Sequence, residues 1–263
     1  MKFALAAGER IEAFAGGRGA CPSCHGEVIA KCGSYRIPHW AHRGIRDCDS
    51  WSEPETEWHR TWKNQFPAEF QEYIQHDESG ERHIADVRTN HGLVLEFQHS
   101  HLDPHERTAR ERFYKNMLWI VDGTRLQRDY PRFLKGKEEF RRIADGHYLL
   151  SFPDECFPKM WLGSSVPVIF DFRGGGVVDP SDPFKGTLWC LLPGRAEEKA
   201  VVIGISPEQF VSVAPTRSRL IEVEQTLANV SQVLREQRAQ QEYQRLAGLR
   251  QRAGFSPRRS RRF

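Results

Sequence analysis

Residues 83–100 read HIADVRTNHGLVLEFQHS, and this stretch decides how the 263-residue chain is interpreted. It contains most of two short apolar-rich runs, 82–88 and 93–99, which are separated by Asn90-His91-Gly92. The residues between the runs tolerate positive φ. The pattern therefore predicts two antiparallel strands joined by a three-residue loop.

Two carboxyl groups and one amide converge on this predicted hairpin. Asp86 and Glu96 each lie five residues from the loop centre at His91, so they face each other across the strand pair. Side chains alternate along a strand, so Gln98 shares a face with Glu96. Neighbouring carboxylates repel unless a proton or a cation lies between them, and hard oxygen donors suit Mg²⁺. The pattern predicts a metal site for phosphodiester hydrolysis. The alternative is an amphipathic hairpin whose acidic groups face water.

Helix signals flank the hairpin on its C-terminal side. Asp103 is a good N-cap, Pro104 suits the first turn, and Glu106 completes a capping box. We expect a helix from about Pro104 to Asn116, followed by a buried strand over Met117–Val121.

A second helix and one more strand are predicted upstream. Ser52-Glu53-Pro54-Glu55 is a capping-box signature, and Trp58, Trp62 and Phe66 form an apolar stripe that Pro67 should end. Residues 70–76 then predict a strand, with a turn at Ser79-Gly80 leading into the strand of Asp86. The predicted order is helix, three-strand meander, helix, strand.

This order, with Asp on the second strand and Glu-x-Gln on the third, resembles the restriction-endonuclease-like nuclease core known by its PD-(D/E)xK signature. More narrowly, the chain resembles the competence protein CoiA family over roughly residues 15–125. The residues that carry the resemblance are Ile84–Val87, Leu95–Ser100, Arg107, Arg110 or Arg112, Tyr114, Trp119–Val121, Cys21-Pro22-Ser23-Cys24 and His39-Trp40-Ala41-His42.

The resemblance implies a role for each residue of the candidate active site. Asp86 and Glu96 become ligands of Mg²⁺ or Mn²⁺, Gln98 stands at the usual lysine position, and Glu57 matches the acidic residue that often completes such sites. Gln offers neutral donors and an acceptor, so it cannot supply the positive charge of a lysine. Candidates for that charge are Lys63, Arg88 and Arg110.

The same resemblance implies a metal-dependent deoxyribonuclease in competence-related DNA processing or in defence against foreign DNA. DNA rather than RNA rests on the resemblance alone. Arg107 and Arg110 are expected to contact the nucleic acid. The alternative is a non-catalytic nucleic-acid-binding adaptor built on a degenerate nuclease core.

A second predicted metal site has soft ligands. Cys21 and Cys24, with His39, His42 and Cys48, offer sulfur and nitrogen donors for a structural, tetrahedral Zn²⁺, which takes four of these five. The second pair is either His39 with His42 or His42 with Cys48, and Cys32 is left over. The alternative is a set of free buried thiols.

Composition favours a soluble cytoplasmic protein. No apolar run approaches the roughly 20 residues of a membrane span, and the apolar start at residues 1–7 is too short for a secretory signal. The clustered cysteines then indicate a metal site rather than disulfides. Net charge is only +3, so nucleic-acid binding must be argued from the distribution of charge.

The C-terminal end is the basic part of the chain. Every charged residue after Glu242 is an arginine, and the last of them, Arg258, Arg259, Arg261 and Arg262, are expected to contact phosphate or to form a solvated end. Three-four spacing of apolar residues predicts a long amphipathic helix over about 216–253, which packs on its own domain or forms a weak homodimer.

The predicted fold class is α/β, in four segments. Residues 1–50 form the zinc module, 51–146 the nuclease core, 147–214 a small β-rich extension, and 215–263 the long helix with its basic tail. The extension is predicted from four short apolar runs: Tyr148–Phe152, Val166–Phe172, Thr187–Leu192 and Ala200–Ile205. Gly174-Gly175-Gly176 lacks the lysine-serine of a P-loop and indicates a turn.

Overall fold

The structure of the chain, a computed structural model, describes residues 1–44, 48–51, 54–174 and 182–254, with side chains to residue 249. Within these residues the chain forms two β-sheets and seven α-helices. Two clusters of buried apolar residues lie on the two faces of the larger sheet. The chain is therefore a mixed α/β protein, as predicted.

The smaller sheet is N-terminal and antiparallel, with the strand order β2-β1-β3-β4-β5. It encloses a small core of its own, which includes Ala4, Cys21, Val28 and Trp40. Its strands are β1 (Phe3–Ala6), β2 (Glu9–Glu12), β3 (Arg18–Ala20), β4 (Glu27–Lys31) and β5 (His39–His42).

The larger sheet has nine strands in the order β10-β11-β14-β13-β12-β9-β8-β7-β6. Its pairings are antiparallel except that β9 runs parallel to both β8 and β12. A parallel pair needs a crossover, and α2 supplies it between β8 and β9. The strands are β6 (Gln71–His76), β7 (Arg82–Arg88), β8 (Val94–Gln98), β9 (Met117–Asp122), β10 (Arg141–Ala144), β11 (His147–Leu150), β12 (Val168–Asp171), β13 (Leu188–Leu191) and β14 (Ala200–Ile205).

Helices cover both faces of this sheet. Trp62 of α1, Phe210 of α6 and Val230 of α7 enter the core on one face. Tyr114 of α2 and Phe133 of α3 enter the core on the other. The helices are α1 (Glu57–Lys63), α2 (Pro104–Tyr114), α3 (Asp129–Gly136), α4 (Pro153–Cys156), α5 (Pro183–Gly186), α6 (Pro207–Val213) and α7 (Val223–Gly254).

The predicted order of helix, meander, helix and strand is present as α1-β6-β7-β8-α2-β9. Asp103 caps α2 through the backbone N–H groups of His105 and Glu106. The predicted start of α1 was wrong, because Thr56 is the N-cap and its hydroxyl accepts the N–H of His59. Residues 52 and 53 of the predicted capping box lie outside the described residues.

Residues 147–214 form the predicted strands, and these extend the sheet that carries β6–β9. Helix α7 begins at Val223, later than the predicted start at Thr216. Residues 214–216, which include Pro215, form a short 3₁₀ turn, and residues 217–222 lie outside helical structure. Val230 and Leu234 bury it against its own domain, which is one of the two predicted arrangements. Among the described residues, no helix combines the length and hydropathy needed to cross a bilayer.

Candidate functional site

Asp86 and Glu96 face each other where the regular pairing of β7 with β8 ends. Val87 pairs with Leu95 and Arg88 with Val94, so the predicted register is confirmed. Beyond these pairs, the carboxylates of Asp86 and Glu96 accept backbone N–H groups in place of the backbone oxygens of a regular strand pair. The N–H of Asp86 donates to Glu96 Oε1 at 3.1 Å, and the N–H of Phe97 donates to Asp86 Oδ2 at 3.0 Å. Each carboxylate is therefore held by the backbone of the opposite strand.

Basic side chains from both neighbouring helices reach this pair. His59 Nε2 of α1 lies 2.8 Å from Asp86 Oδ1, and Lys63 Nζ lies 3.9 Å from the same oxygen. From α2, Arg110 approaches Glu96 Oε2 at 3.2 Å. His59 and Lys63 are four residues apart, so one helix face presents both to Asp86.

Two further carboxylates surround Lys63. Its ammonium group lies 2.9 Å from Glu72 Oε1 and 3.1 Å from Glu55 Oε1. Burial by itself lowers the pKa of Lys63, but the charges of Glu72, Glu55 and Asp86 outweigh burial and raise the pKa above its ordinary value. Lys63 is therefore a fully buried, charged lysine at the site.

The two facing carboxyl groups differ in acidity. Burial, together with the charge of Asp86, raises the pKa of Glu96 to about 8, and Arg110 opposes this rise. Burial also acts to raise the pKa of Asp86, but His59, Lys63 and the N–H of Phe97 outweigh it and hold the pKa below its ordinary value. Glu96 therefore needs a proton or a nearby cation at neutral pH.

These groups line a cavity of about 80 Å³ that is bordered by α1, α2, strands β6–β8 and the segment of Asp49 and Trp51. Five carboxyl groups border it: Asp49, Glu55, Glu72, Asp86 and Glu96. Against them stand Lys63, Arg110 and the N-terminal ammonium of Met1, with His59. A buried water needs about 10–15 Å³, so a partly hydrated divalent cation fits this volume. Hard oxygen donors in excess over cations suit Mg²⁺ or Mn²⁺.

Gln98 lies at this site as predicted, and Glu57 does not. Gln98 is buried, borders the cavity, and donates from its amide to Ser100 O and Oγ at 3.3 Å. Glu57 is exposed and borders a different cleft, beside Asp171. On a helix, positions two residues apart are separated by about 200°, so Glu57 points away from the face that carries His59. Glu55, just ahead of the helix, lies in the cavity instead.

The arginines predicted to contact nucleic acid have different positions. Arg107 is buried and donates to the backbone oxygens of Met160 and Gly163, which directs it into the protein. Arg110 is buried as well and belongs to the site as the partner of Glu96 and Glu106. Arg258, Arg259, Arg261 and Arg262 lie outside the described residues.

Sequence reasoning did not assign Glu72 or Glu55 to the site. For Glu72 a signal was present, because Gln71 pairs with Val87 and Tyr73 with Ala85, which sets Glu72 opposite Asp86. Counting residues from the loop between β7 and β8 places Glu96 opposite Asp86. The same count from the turn between β6 and β7 places Glu72 opposite Asp86 on the other neighbouring strand. Glu55 had no such signal, because it lies in a segment without regular structure.

The second candidate centre contains three cysteines and one histidine. Atoms of Cys21, Cys24, His42 and Cys48 all lie within 4.8 Å of one another. Cys21 Sγ is 3.6 Å from Cys48 Sγ, and Cys24 Sγ is 3.2 Å from His42 Nε2. Tetrahedral zinc with Zn–S bonds of about 2.3 Å separates its sulfur ligands by roughly 3.7 Å. The donor set and its spacing therefore fit Zn²⁺.

The structure decides between the two predicted second pairs. His42 and Cys48 complete the cluster, whereas His39 Nδ1 lies 2.9 Å from the backbone oxygen of Ile37. His39 and His42 are three residues apart on β5, so their side chains point to opposite faces and cannot share an ion. Cys32 is exposed and outside the cluster, as expected for the cysteine left over.

Comparison with known proteins finds a family match in the N-terminal region. Residues 11–50 match the sequence model of the family described as Competence protein CoiA, N-terminal domain. All four residues of the cysteine-histidine cluster fall in that range. Over these residues the chain is similar to CoiA proteins.

A curated relative extends the similarity. Competence protein CoiA of Bacillus subtilis (strain 168) is 26% identical over 140 residues. The match covers 50% of this chain and 35% of the relative, so it spans about a third of that protein's length. No solved structure matches the chain.

Proposed function

We propose that this CoiA-like chain is a metal-dependent nuclease that hydrolyses DNA phosphodiester bonds. The observation that carries the proposal is the pair of half-buried Asp86 and buried Glu96, facing each other in a cavity where carboxyl groups outnumber cations. A PD-(D/E)xK core of the restriction-endonuclease type is part of this proposal, as is DNA rather than RNA as the substrate.

Asp86 and Glu96 would hold Mg²⁺ or Mn²⁺. A carboxylate has about four lone-pair sites; the N–H of Phe97 occupies one on Asp86 and His59 Nε2 lies 2.8 Å from its Oδ1, so sites remain for a cation. When bound, the metal would polarise the phosphodiester and lower the pKa of a bound water. Arg110 keeps Glu96 in place.

Lys63 supplies the positive charge that Gln98 cannot. Its raised pKa keeps it protonated, and its position 3.9 Å from Asp86 Oδ1 puts that charge beside the reacting phosphate in the proposed complex. Gln98 borders the same cavity, where its amide can orient the attacking water by hydrogen bonding.

The relative's name supports a role in competence. We propose that this role is DNA processing, and defence against foreign DNA would use the same chemistry. We further propose a cytoplasmic location, because thiol ligands of the Cys21 cluster need a reducing compartment. The zinc of that cluster would be structural, since four protein ligands close the coordination sphere.

A non-catalytic nucleic-acid-binding adaptor is the second candidate. The observation that favours it is that Arg110 already pairs with Glu96, which reduces the negative charge available to a metal. Binding of DNA without cleavage under every metal condition would support this candidate.

The experiment incubates the purified full chain with single- and double-stranded DNA and RNA, in Mg²⁺, Mn²⁺ or chelator. Cleavage should need the metal, and Asp86→Asn and Glu96→Gln should abolish it while nucleic-acid binding survives. Glu78→Gln, in the exposed turn between β6 and β7, is the matched control. Wild-type cleavage by both site variants would refute the proposal.

One more pair of variants separates the sequence-based assignment from the structural one. Glu57→Gln removes a carboxylate that lies outside the cavity, so cleavage should persist. Glu55→Gln changes a group beside Lys63 and should slow cleavage. The reverse result would restore Glu57 to the site.

A further inference from the structure

A short segment, residues 48–51, connects the cysteine-histidine cluster to the carboxylate cavity. Cys48 belongs to the cluster, with its sulfur 3.6 Å from that of Cys21. The next residue, Asp49, is buried and points at β7. Its Oδ2 accepts the N–H of Ile84 at 2.8 Å, and its Oδ1 lies 2.8 Å from His83 Nδ1.

Asp49 occupies a position that a strand would otherwise fill. The pairing of β7 with β8 covers Val87 and Arg88, so Ile84 and Asp86 lie beyond it. Two carboxylates accept their N–H groups: Asp49 takes that of Ile84, and Glu96 takes that of Asp86. The edge of β7 beside the carboxylate pair is therefore held partly by the residue that follows Cys48.

Trp51 makes the second connection, to the Glu96 side. Its backbone oxygen accepts a hydrogen bond from Arg110 Nη2 at 2.8 Å, while Nη1 of the same guanidinium lies 3.2 Å from Glu96. Its ring stacks on His83 with centroids 3.2 Å apart, and its backbone N–H donates to Asp49 Oδ1 at 3.0 Å. Asp49 and Trp51 thus form one unit that touches β7 and, through Arg110, the Glu96 carboxylate on β8.

We propose that metal occupancy of the cysteine-histidine cluster organises the carboxylate cavity through residues 48–51, with Asp49 as the positioning residue. A metal bound by Cys48 fixes the backbone at that residue, and with it the position of Asp49, the next residue in the chain. Asp49 then holds Ile84, two residues before Asp86, and Trp51 holds Arg110 against Glu96. The two metal sites are therefore positively coupled, and coupling between binding sites is reciprocal. The part that concerns divalent-metal affinity rests on the proposed function.

The first test needs no activity. Hydrogen exchange is measured in the full chain with zinc bound, in the Cys48→Ser variant, and in Cys32→Ser as the matched control, all without Mg²⁺. Exchange of the Ile84 and Asp86 amides should rise at least about tenfold in Cys48→Ser and stay unchanged in Cys32→Ser, within the range typical of coupled sites. Equal protection in all three proteins would overturn the inference.

The second test uses Mn²⁺ alone as the probe, titrated by calorimetry. Zinc-loaded wild type should bind it about tenfold more tightly than Cys48→Ser, again within the range typical of coupled sites. Asp49→Ala keeps all four cluster ligands, so it should retain zinc yet bind Mn²⁺ as weakly as Cys48→Ser. Asp49→Asn should restore much of the affinity, because its amide oxygen can still accept the N–H of Ile84.

The outcomes separate the two proposals. Absence of Mn²⁺ binding in every protein refutes the proposed function, and the exchange data alone then decide whether the cluster organises β7. Equal Mn²⁺ affinity in wild type and Cys48→Ser overturns the coupling while leaving the nuclease proposal intact. A zinc-loaded Asp49→Ala protein with wild-type Mn²⁺ affinity would exclude Asp49 as the positioning residue.

Discussion

Replacing Glu72 by Gln should destabilise the chain by about 3 kcal/mol at neutral pH, at the lower end of the cost of removing one partner from a buried ion pair. Glu72 Oε1 accepts the N–H of Lys2 at 2.6 Å and lies 2.9 Å from Lys63 Nζ, and Oε2 accepts the N–H of Phe3 at 3.0 Å. The substituted side chain would turn an amide NH₂ toward these donors. Glu55 still faces Lys63, which limits the destabilisation.

The effect should depend on pH. Burial by itself raises the pKa of Glu72, but Lys63 and the donated N–H groups outweigh burial and hold the pKa far below its ordinary value. Such a carboxyl contributes stability that is fully present above its unfolded pKa of about 4.3 and is lost as pH falls through the folded pKa. The difference between wild type and Glu72→Gln should therefore be full at pH 7 and shrink below about pH 4, as the unfolded chain takes up the proton.

Urea unfolding followed by tryptophan fluorescence measures the change. A destabilisation of about 3 kcal/mol corresponds to a fall in Tm of roughly 6–12 °C for a chain of this size. Glu78→Gln makes the same chemical change at an exposed turn and should stay within about 0.5 kcal/mol of wild type. If Glu72→Gln matched that control at pH 7, Glu72 would not anchor the N-terminal sheet to the larger one.

Three other changes test separate parts of the molecule. Gln98→Ala should slow cleavage by about 10²-fold if the amide positions the nucleophile, and a wild-type rate across a Mg²⁺ titration would remove Gln98 from the mechanism. Elemental analysis should find about one zinc per chain, absent from Cys21→Ser and Cys24→Ser but kept in His39→Ala, since four ligands close the site; zinc-free protein of unchanged stability would contradict a structural role. Deleting residues 255–263 should reduce the log–log salt slope of duplex DNA binding by about 0.9 for each phosphate that the deleted arginines neutralise, and an unchanged slope would mean that they neutralise none.

Local sequence determined the features that depend on short-range geometry. The loop after Arg88 sets which residues of β7 and β8 face each other, so the pairing that brings Asp86 to Glu96 could be counted from the loop centre. Asp103 was recognisable as a cap because it bonds backbone groups two and three residues ahead. The Cys21–Cys24 knuckle likewise lies within four residues.

Some tertiary features also had a local signal that the sequence analysis did not use. Arg107, Arg110, Glu111 and Tyr114 follow the spacing of a single helix face, and that face is buried on α2. Arg107 is therefore directed inward, where the backbone oxygens of residues 160 and 163 accept hydrogen bonds from its guanidinium group. A buried helix face is recognised in a sequence by its apolar residues. The buried face of α2 is mostly polar, so the spacing of apolar residues did not reveal it.

Only the tertiary structure could choose Glu55 over Glu57 and bring Cys48 to the cluster. Glu55 lies outside regular structure, so no period places it, and the path of the chain ahead of α1 brings it to 3.1 Å from Lys63. Cys48 meets Cys21, 27 positions earlier in the chain, because the N-terminal sheet folds back toward β7, where Asp49 bonds Ile84. Contacts between segments distant in sequence depend on how whole elements pack, and no local pattern encodes that packing.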